Sequence, residues 1–308
     1  MKLEPTEVGR LIPVTVIGGF LGAGKTSYLN TLIQKGITPG SLILVNDFGD
    51  INIDSALIDY RDDRVIGLTN GCICCTLGGT LAEQLAEVLR FTPKPTAIYI
   101  EASGVADTAR IADIARVSRQ LRLEEVVCLV DASQALANAN HPLIGEAWRD
   151  QVRTAHRLLL NRLPDDGDFR QRLEALLDAL NPKAKRLLLE SPKDAPAPRP
   201  APPVPRFAPA TRTGGAHPCT SVTLRPSGAV DTEAVSKLLT EHADVLLRAK
   251  GFLRCRGYES LRLLQFSGRH PQWQSSLKPP AAPQLVLIGT PGERFEALCS
   301  DLMALAND

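Results

Sequence analysis

The sequence lacks an excess of charge of either sign. Its 308 residues include 35 lysines and arginines and 34 aspartates and glutamates, which gives a formal net charge of +1. Such a balance provides no electrostatic reason to expect a nucleic acid or an acidic membrane surface as a partner. We therefore expect the function to depend on local sites.

Long apolar runs are missing as well. No apolar stretch approaches the roughly 20 residues that cross a bilayer, and the start, MKLEPTEVGR, contains no apolar signal core. These features predict a cytoplasmic protein with no membrane partner. In a reducing compartment the seven cysteines are not expected to form disulfides. Clustered cysteines then indicate metal ligands or redox groups.

One segment departs from the general composition, and internal repeats are absent. Residues 191–210, SPKDAPAPRPAPPVPRFAPA, contain eight prolines in twenty residues. Because proline fixes φ and favours an extended backbone, this segment is typical of a semi-rigid spacer. It predicts a linker over residues 191–212 between a first domain, 1–190, and a second domain, 213–308.

The pattern of apolar residues differs on the two sides of the linker. Before it, short apolar runs alternate with amphipathic helix-length stretches, which predicts an α/β domain with a mostly parallel sheet flanked by helices. The strand candidates are PVTVIGG, SLILVN, RVIGLTN, TAIYIE, EVVCLVD and HRLLLN. After it, a strand (CTSVTLR), a helix (TEAVSKLLTEHADVLL), three strands and a last helix (RFEALCSDLMALA) predict a small α+β domain.

A glycine-rich turn stands between the first strand and the first helix. In VTVIGGFLGAGKTSYLN, Gly19 to Thr26 fit the pattern GxxxxGK[ST]. Backbone N–H groups of such a loop surround phosphate oxygens, Lys25 reaches the β and γ phosphates, and the Thr26 hydroxyl binds Mg²⁺. A chance glycine turn is the alternative, but the flanking strand and helix argue against it. The predicted nucleotide-binding residues of the loop are Gly19, Gly22, Ala23, Gly24, Lys25, Thr26 and Ser27.

A phosphate loop also needs a carboxylate near its metal. In TAIYIEASG, Glu101 ends an apolar strand and Gly104 follows shortly after. We expect the Glu101 carboxylate to reach Mg²⁺ or its water shell, and the Gly104 N–H to meet a phosphate. An acid at the end of a strand is common on its own, so this assignment depends on the neighbouring loop.

Three cysteines lie within four positions of TNGCICCTLGG, at Cys72, Cys74 and Cys75. Neighbouring glycines give the backbone the freedom to bring all three thiolates together. Three thiolates suit a divalent metal such as Zn²⁺ and leave one coordination position open, which permits the metal to be exchanged. Cysteines that fill the core, and a redox pair of Cys72 with Cys75, are the alternatives. With five scattered histidines and no histidine-rich tract, bulk metal storage is not expected.

Together these segments resemble the CobW family of metal-handling P-loop GTPases, which are related to the HypB and UreG nickel-insertion GTPases. The similarity covers nearly the whole chain and lies in GGFLGAGKTSYLN, NDFGDINID, NGCICC, EASG and, beyond the linker, RAKGFLR. It implies a P-loop NTPase domain that hydrolyses GTP with Mg²⁺ and binds Zn²⁺ or Co²⁺ at the cysteines. It also implies delivery of the metal to a client metalloprotein, which the C-terminal domain helps to contact.

The chain departs from the family in two places. Asp47 stands where the family usually has glutamate, and the resemblance places it with Lys25, Thr26 and Glu101 among the catalytic residues. The base-reading motif NKxD corresponds here to NRLPDD. Asn161 aligns with the asparagine of this motif, and Arg162 replaces its lysine and can stack on the base. Pro164 takes the place of its aspartate. Either the next residue, Asp165, reaches back to the base, or guanine selectivity is weakened.

Three functions remain open at this stage. The first is an enzyme, a metal-loaded GTPase whose hydrolysis rearranges the cysteine loop and releases the metal to its client, as a monomer or a homodimer. The second is a metal-sensing or buffering module that binds nucleotide with little or no turnover. The third is a P-loop kinase for a small molecule, which leaves the three cysteines without a role.

Overall fold

The structure is a computed structural model in which residues 11–46, 65–68, 79–189, 219–267, 270–275, 280 and 282–306 are described. Asp47, the three clustered cysteines and the predicted linker lie outside these residues. The roles proposed for them remain predictions from the sequence.

The first domain is built on a parallel sheet, as the alternating pattern predicts. Its described strands are β1 (Ile12–Gly19), β2 (Leu42–Asn46), β3 (Val65–Leu68), β4 (Ile98–Glu101), β5 (Leu121–Asp131), β6 (Arg157–Asn161) and β7 (Lys185–Leu188). They lie in the order β3-β2-β4-β1-β5-β6-β7, and all neighbouring pairs are parallel. All seven strands therefore end at the same edge of the sheet.

Helices cover both faces of this sheet. They are α1 (Lys25–Lys35), α2 (Gly79–Val88), α3 (Thr108–Val117), α4 (Ala132–Asn140), α5 (Gly145–Thr154) and α6 (Gly167–Leu180). Alternate strand residues point to opposite faces, so Ile17 packs with Leu29 of α1 on one face. Val16 packs with Leu81 and Ile111 on the other. None of the described helices is long and apolar enough to cross a membrane.

The second domain contains an antiparallel sheet. Its described elements are β8 (Thr220–Leu224), α7 (Thr232–Glu241), β9 (Leu246–Leu253), β10 (Arg262–Ser267), β11 (His270–Ser275), β12 (Gln284–Gly289) and α8 (Glu293–Ala304). The strand order is β11-β10-β9-β12-β8. The α+β prediction is confirmed, although the predicted helix over 232–247 is too long. It ends at Glu241, because Leu246 pairs with β12 and the residues from Arg248 to Phe252 pair with both β10 and β12.

The second sheet buries apolar residues on both faces. One face packs against its own helices through residues such as Leu264, Leu287 and Leu298. The other face packs against the first domain, where Phe252 and Leu263 belong to the same buried cluster as Phe20 and Leu21. The two domains thus share a hydrophobic core next to the glycine-rich loop.

Candidate nucleotide site

The candidate site lies where the parallel strands end. β1 leads into the glycine-rich loop at Gly19, and the neighbouring strand β4 ends at Glu101, which is in register with Ile17. On the other side of β1, β5 ends at Asp131, which is in register with Asn161 at the end of β6. Open parallel sheets bind ligands at this edge.

The glycines of the loop adopt backbone conformations that suit glycine. The φ angles of Gly19, Gly22 and Gly24 are 132°, 77° and 95°, in the region that L side chains rarely enter. Gly19 also lies against β5, since a Cβ there would be 2.5 Å from the Leu129 carbonyl oxygen. The predicted backbone path of a phosphate-binding loop is therefore present.

Lys25 is held inside the loop. Its ammonium donates hydrogen bonds to the carbonyl oxygens of Gly19 at 2.9 Å and Phe20 at 3.2 Å, and the residue is only 6% exposed. Ser27, two residues later, is exposed in the first turn of α1. The loop thus places one buried positive charge at the start of the helix, where the helix dipole also favours an anion.

Thr26 and Glu101 meet although 75 residues separate them in the chain. The Thr26 hydroxyl donates a hydrogen bond of 2.8 Å to Glu101 Oε1, and Glu101 is 1% exposed. Mg²⁺ prefers oxygen ligands and is commonly held by one or two protein groups together with substrate phosphates. A hydroxyl and a carboxylate this close fit that ion, and binding of Mg²⁺ at this place remains a prediction.

The segment after Glu101 packs tightly on the glycine-rich loop. A Cβ at Gly104 would lie 2.3 Å from Leu21 Cδ2, so only glycine allows this approach. The carbonyl of Gly104 accepts a hydrogen bond of 3.1 Å from the Gln151 side chain. Gly104 is therefore next to the loop, as predicted, while its N–H contact with a phosphate remains a prediction.

Asn161 and Arg162 support the loop from the other side. The Asn161 amide donates a 2.9 Å hydrogen bond to the Ala23 carbonyl, and Arg162 donates a 3.1 Å hydrogen bond to the Gly22 carbonyl. Arg162 also forms an ion pair with Asp131. Both residues thus fix the backbone of the phosphate loop, a role that the sequence analysis did not assign to them. Their predicted contacts with the base remain predictions.

The acid that follows this pair points away from it. The side chain of Asp165 is fully exposed and forms an ion pair of 3.1 Å with Arg170 on α6. Arg170 also donates a 3.1 Å hydrogen bond to the Pro164 carbonyl. Asp165 thus forms its ion pair with a helix residue, and both alternatives for base recognition remain predictions.

Comparison with known proteins agrees with this geometry. Residues 13–187 match the model of the family described as "CobW/HypB/UreG, nucleotide-binding domain". The chain belongs to the CobW/HypB/UreG family. Residues 219–306 match the "Cobalamin synthesis protein cobW C-terminal domain". The resemblance inferred from the motifs is confirmed, and so is the P-loop NTPase fold.

Several curated relatives are similar to part of this family member. It is 32% identical over 181 residues to "Zinc chaperone YjiA" from Escherichia coli (strain K12), covering 56% of each chain. It is 30% identical over 179 residues to "Zinc chaperone CobW" from Sinorhizobium sp, covering 49% of this chain and 51% of the relative. It is 28% identical over 218 residues to "Zinc-regulated GTPase metalloprotein activator 1" from Dictyostelium discoideum, covering 57% of this chain and 45% of the relative. The chain spans about half the length of these relatives.

The cysteines within the described residues have structural surroundings. Cys128, Cys219 and Cys255 are buried and Cys299 is half-buried. Burial raises the pKa of the Cys128 thiol to about 12, although the nearby Lys25 charge acts in the opposite direction. Metal binding requires thiolates, so this thiol is a poor ligand. The described residues contain no group of three or more histidine, cysteine or acidic side chains that could hold a metal.

Two buried or partly buried polar residues near the site, Asp131 and Lys250, were not among the residues predicted from the sequence of this family member. Asp131 ends β5 in the same way that Glu101 ends β4, so the position of an acid at a strand end was an available signal. Lys250 lies within the RAKGFLR segment and is 5% exposed. The sequence contains no local signal for this burial.

Proposed function

We propose that the protein is a metal-dependent GTPase and metallochaperone that couples GTP hydrolysis to the transfer of Zn²⁺ or Co²⁺ to a client metalloprotein. The observation that carries the proposal is the hydrogen-bonded pair of Thr26 and Glu101 beside the phosphate loop. The names of the relatives, zinc chaperones and a zinc-regulated GTPase, support zinc as the cargo. Cytoplasmic location, homodimer formation and delivery of the metal to a client metalloprotein are expectations from the sequence.

Different groups of the loop and of its neighbour Glu101 bind different parts of the nucleotide and its metal ion. Backbone N–H groups of the glycine-rich loop bind phosphate oxygens, and Lys25 exchanges its two carbonyl partners for the β and γ phosphates. Thr26 and Glu101 would hold Mg²⁺, and the bound ion would neutralise charge on the phosphates. In hydrolysis, water attacks the γ phosphorus and the bond to the bridging β–γ oxygen breaks, so that GDP and phosphate leave.

The proposed metal site, which is formed by Cys72, Cys74 and Cys75, follows β3 in the sequence, and β3 ends at the same edge of the sheet as β1 and β4. β3 ends at Leu68, and Cys72 follows four residues later. Because β2 lies between β3 and β4, these two strands are two strand spacings apart, which is about 10 Å. Four residues of extended chain span at most about 14 Å, which is longer than this distance. The cysteine segment can therefore reach the neighbourhood of Glu101, and Asp47 directly follows β2 between these two strands. The order of the strands and the short spacing in the sequence support the proposed coupling between metal and nucleotide.

A triple serine substitution of Cys72, Cys74 and Cys75 tests the coupling. We expect the wild-type protein to hydrolyse GTP faster when Zn²⁺ is added, and the triple variant to show no zinc stimulation while its basal hydrolysis with Mg²⁺ is retained. The reason is that serine removes the thiolate ligands and leaves the phosphate loop intact. Hydrolysis is measured as phosphate release across a zinc titration.

The same assay separates the competing functions, with Cys299→Ser as the matched control because this cysteine is half-buried and outside the motif. The control should behave like the wild type. Zinc stimulation that persists in the triple variant would contradict the coupling. Absence of hydrolysis with GTP and with ATP, with and without zinc, would favour the metal-sensing or buffering module.

Base selectivity provides a second prediction. Because Asp165 faces solvent, we expect the wild-type protein to prefer GTP over ATP by less than about tenfold in kcat/KM, far below what a fully paired base site achieves. The variant Pro164→Asp restores a carboxylate at the motif position and should increase the preference. Measurement of kcat/KM for both nucleotides checks this, with Asp165→Asn as the control that should change little. A strong GTP preference that depends on Asp165 would refute the interpretation.

A further inference from the structure

A buried glutamine holds the turn that follows Glu101. Gln151 lies on α5 and is 2% exposed. Its side-chain amide donates a hydrogen bond of 3.1 Å to the Gly104 carbonyl and a second one of 3.0 Å to the Ala106 carbonyl. One side chain from another helix thus holds two carbonyls of the same turn.

The backbone of this turn directs one N–H group outward. The Ala106 N–H donates a hydrogen bond of 3.0 Å to the Ser103 carbonyl, which closes the turn from Ser103 to Ala106. The peptide bond between Ser103 and Gly104 is trans, so its carbonyl and its N–H point in opposite directions. Because the carbonyl points into the turn, the Gly104 N–H points out of it. Among the described residues, no protein acceptor receives this N–H.

The turn lies directly against the phosphate loop. A Cβ at Gly104 would be 2.3 Å from Leu21 Cδ2 and 2.8 Å from the Leu21 backbone nitrogen. The strand before the turn, β4, pairs with β1, which leads into the loop. The Ala102 N–H extends this pairing with a hydrogen bond of 2.9 Å to the Ile17 carbonyl. A phosphate that the loop binds is therefore next to this turn.

The helix that carries Gln151 is held in place on its buried face and at its end. Trp148 and Val152 are 3% and 1% exposed and belong to the buried cluster that the two domains share. At the C-terminal end of α5, the Asn181 side-chain amide donates hydrogen bonds of 2.8 and 2.9 Å to the carbonyls of Val152 and Ala155. The Gln151 amide therefore has a fixed position from which it can hold the turn.

The turn, and not packing, explains why this position has an amide. Gln151 Oε1 is buried and has no hydrogen-bond partner among the described residues, which is unfavourable. An apolar side chain would avoid this cost but would leave the Gly104 and Ala106 carbonyls without their donor. The amide nitrogen is therefore the part of the side chain that this position requires.

We propose that Gln151 is a positioning residue for hydrolysis. Its amide holds the Ser103–Ala106 turn so that the Gly104 N–H donates to the terminal phosphate of a nucleotide in the Gly19–Thr26 loop. The backbone of such a loop surrounds mainly the α and β phosphates, so the terminal phosphate is open to a donor beside the loop. In phosphoryl transfer charge spreads over the oxygens of this phosphate, and a fixed N–H stabilises it. This inference rests on the proposed function and deepens it.

The variant Gln151→Met tests this role in the full-length chain, because methionine has a similar length and donates no hydrogen bond. We expect kcat for GTP to fall by on the order of ten- to a hundredfold, because a small displacement of a positioned group has effects of this size. Binding of a non-hydrolysable GTP analogue should weaken by about three- to tenfold, and binding of GDP, which lacks the terminal phosphate, by less than about twofold. Phosphate release and titration with fluorescent nucleotides, both with Mg²⁺, measure these changes.

Two further variants and a control separate positioning from a general loss of structure. Gln151→Asn keeps an amide on a shorter side chain and should recover part of kcat. Gln151→Glu keeps the shape but presents only acceptors when ionised, so it should recover none. Glu146→Gln removes an exposed carboxylate of the same helix, which pairs with Arg149 and Arg153, and should leave kcat and both affinities unchanged.

Thermal melting shows which variants are folded. If Gln151→Met does not fold, Gln151→Asn carries the test, and its smaller losses should likewise be confined to kcat and to the triphosphate. A folded Gln151→Met with kcat within about twofold of the wild type, or equal weakening of GDP and of the analogue, would overturn the inference. Wild-type activity in Gln151→Glu would overturn it as well. A wild-type protein that binds neither nucleotide would instead refute the proposed function.

Discussion

Replacement of Lys25 by methionine is expected to reduce GTP hydrolysis by on the order of a hundred- to a thousandfold, the range observed when one charge-stabilising group is removed from an active site. The ammonium is already enclosed by the loop, with two carbonyl partners and 6% exposure. Methionine preserves the length of the side chain but cannot bind the β and γ phosphates. Phosphate release at saturating Mg·GTP measures the effect.

The control for this variant is Lys35→Met, because Lys35 ends the same helix and is exposed. Its hydrolysis should stay close to that of the wild type. Thermal melting shows whether Lys25→Met is folded, which separates loss of chemistry from loss of structure. Hydrolysis by folded Lys25→Met within about twofold of the wild type would show that this loop does not carry the reaction.

The central residues of the nucleotide site could be predicted because most of them lie in one short segment of the sequence. Gly19 to Thr26 form one continuous segment, and its glycines are required by the φ angles that the structure shows. Glu101 is distant in the chain, yet it follows an apolar strand, and parallel strands bring their carboxyl ends to one edge. The strand order itself could not be read from the sequence, and only the structure shows that β4 is adjacent to β1.

Contacts between the domains were beyond prediction for a physical reason. The Ser267 hydroxyl meets the Leu21 carbonyl across 246 positions in the chain, and no periodicity encodes which face of the second sheet packs on the first domain. The alternation along β9 shows two faces but does not identify their partners. The sequence therefore identifies RAKGFLR as a family signature but does not show what this strand packs against.

One boundary between helix and strand shows how tertiary pairing overrides local pattern. Residues 232–247 have a helical arrangement of apolar side chains, yet α7 ends at Glu241. Leu246 and the residues after it occupy the centre of the five-stranded sheet, with β10 on one side and β12 on the other. Hydrogen bonding along two neighbouring strands outweighs a weak preference for another helical turn.

The buried ion pair of Arg157 and Glu125 leads to the largest expected effect on stability. Arg157 Nη2 lies 2.6 Å from Glu125 Oε2, and both side chains are 8% exposed. Arg157→Met leaves the carboxylate buried without its arginine, which is expected to lower the free energy of unfolding by about 3–5 kcal/mol. The double variant Arg157→Met with Glu125→Met removes both charges and should be much closer to the wild type. Urea denaturation, followed by circular dichroism, measures these differences.

An exposed pair of similar geometry provides the control. Arg116 lies 2.9 Å from Asp113 on α3, and the side chains are 34% and 46% exposed, so Arg116→Met should cost less than about 1 kcal/mol. Both single variants remove the arginine partner of a carboxylate, so a larger loss of stability in Arg157→Met than in Arg116→Met is attributed to the burial of the pair. Equal losses in the two single variants, or a double variant as unstable as Arg157→Met, would show that packing of the arginine stem and not the uncompensated charge determines stability at this position. The pair joins β5 to β6 near the start of β6, so its removal should lower stability without changing the residues that bind the nucleotide.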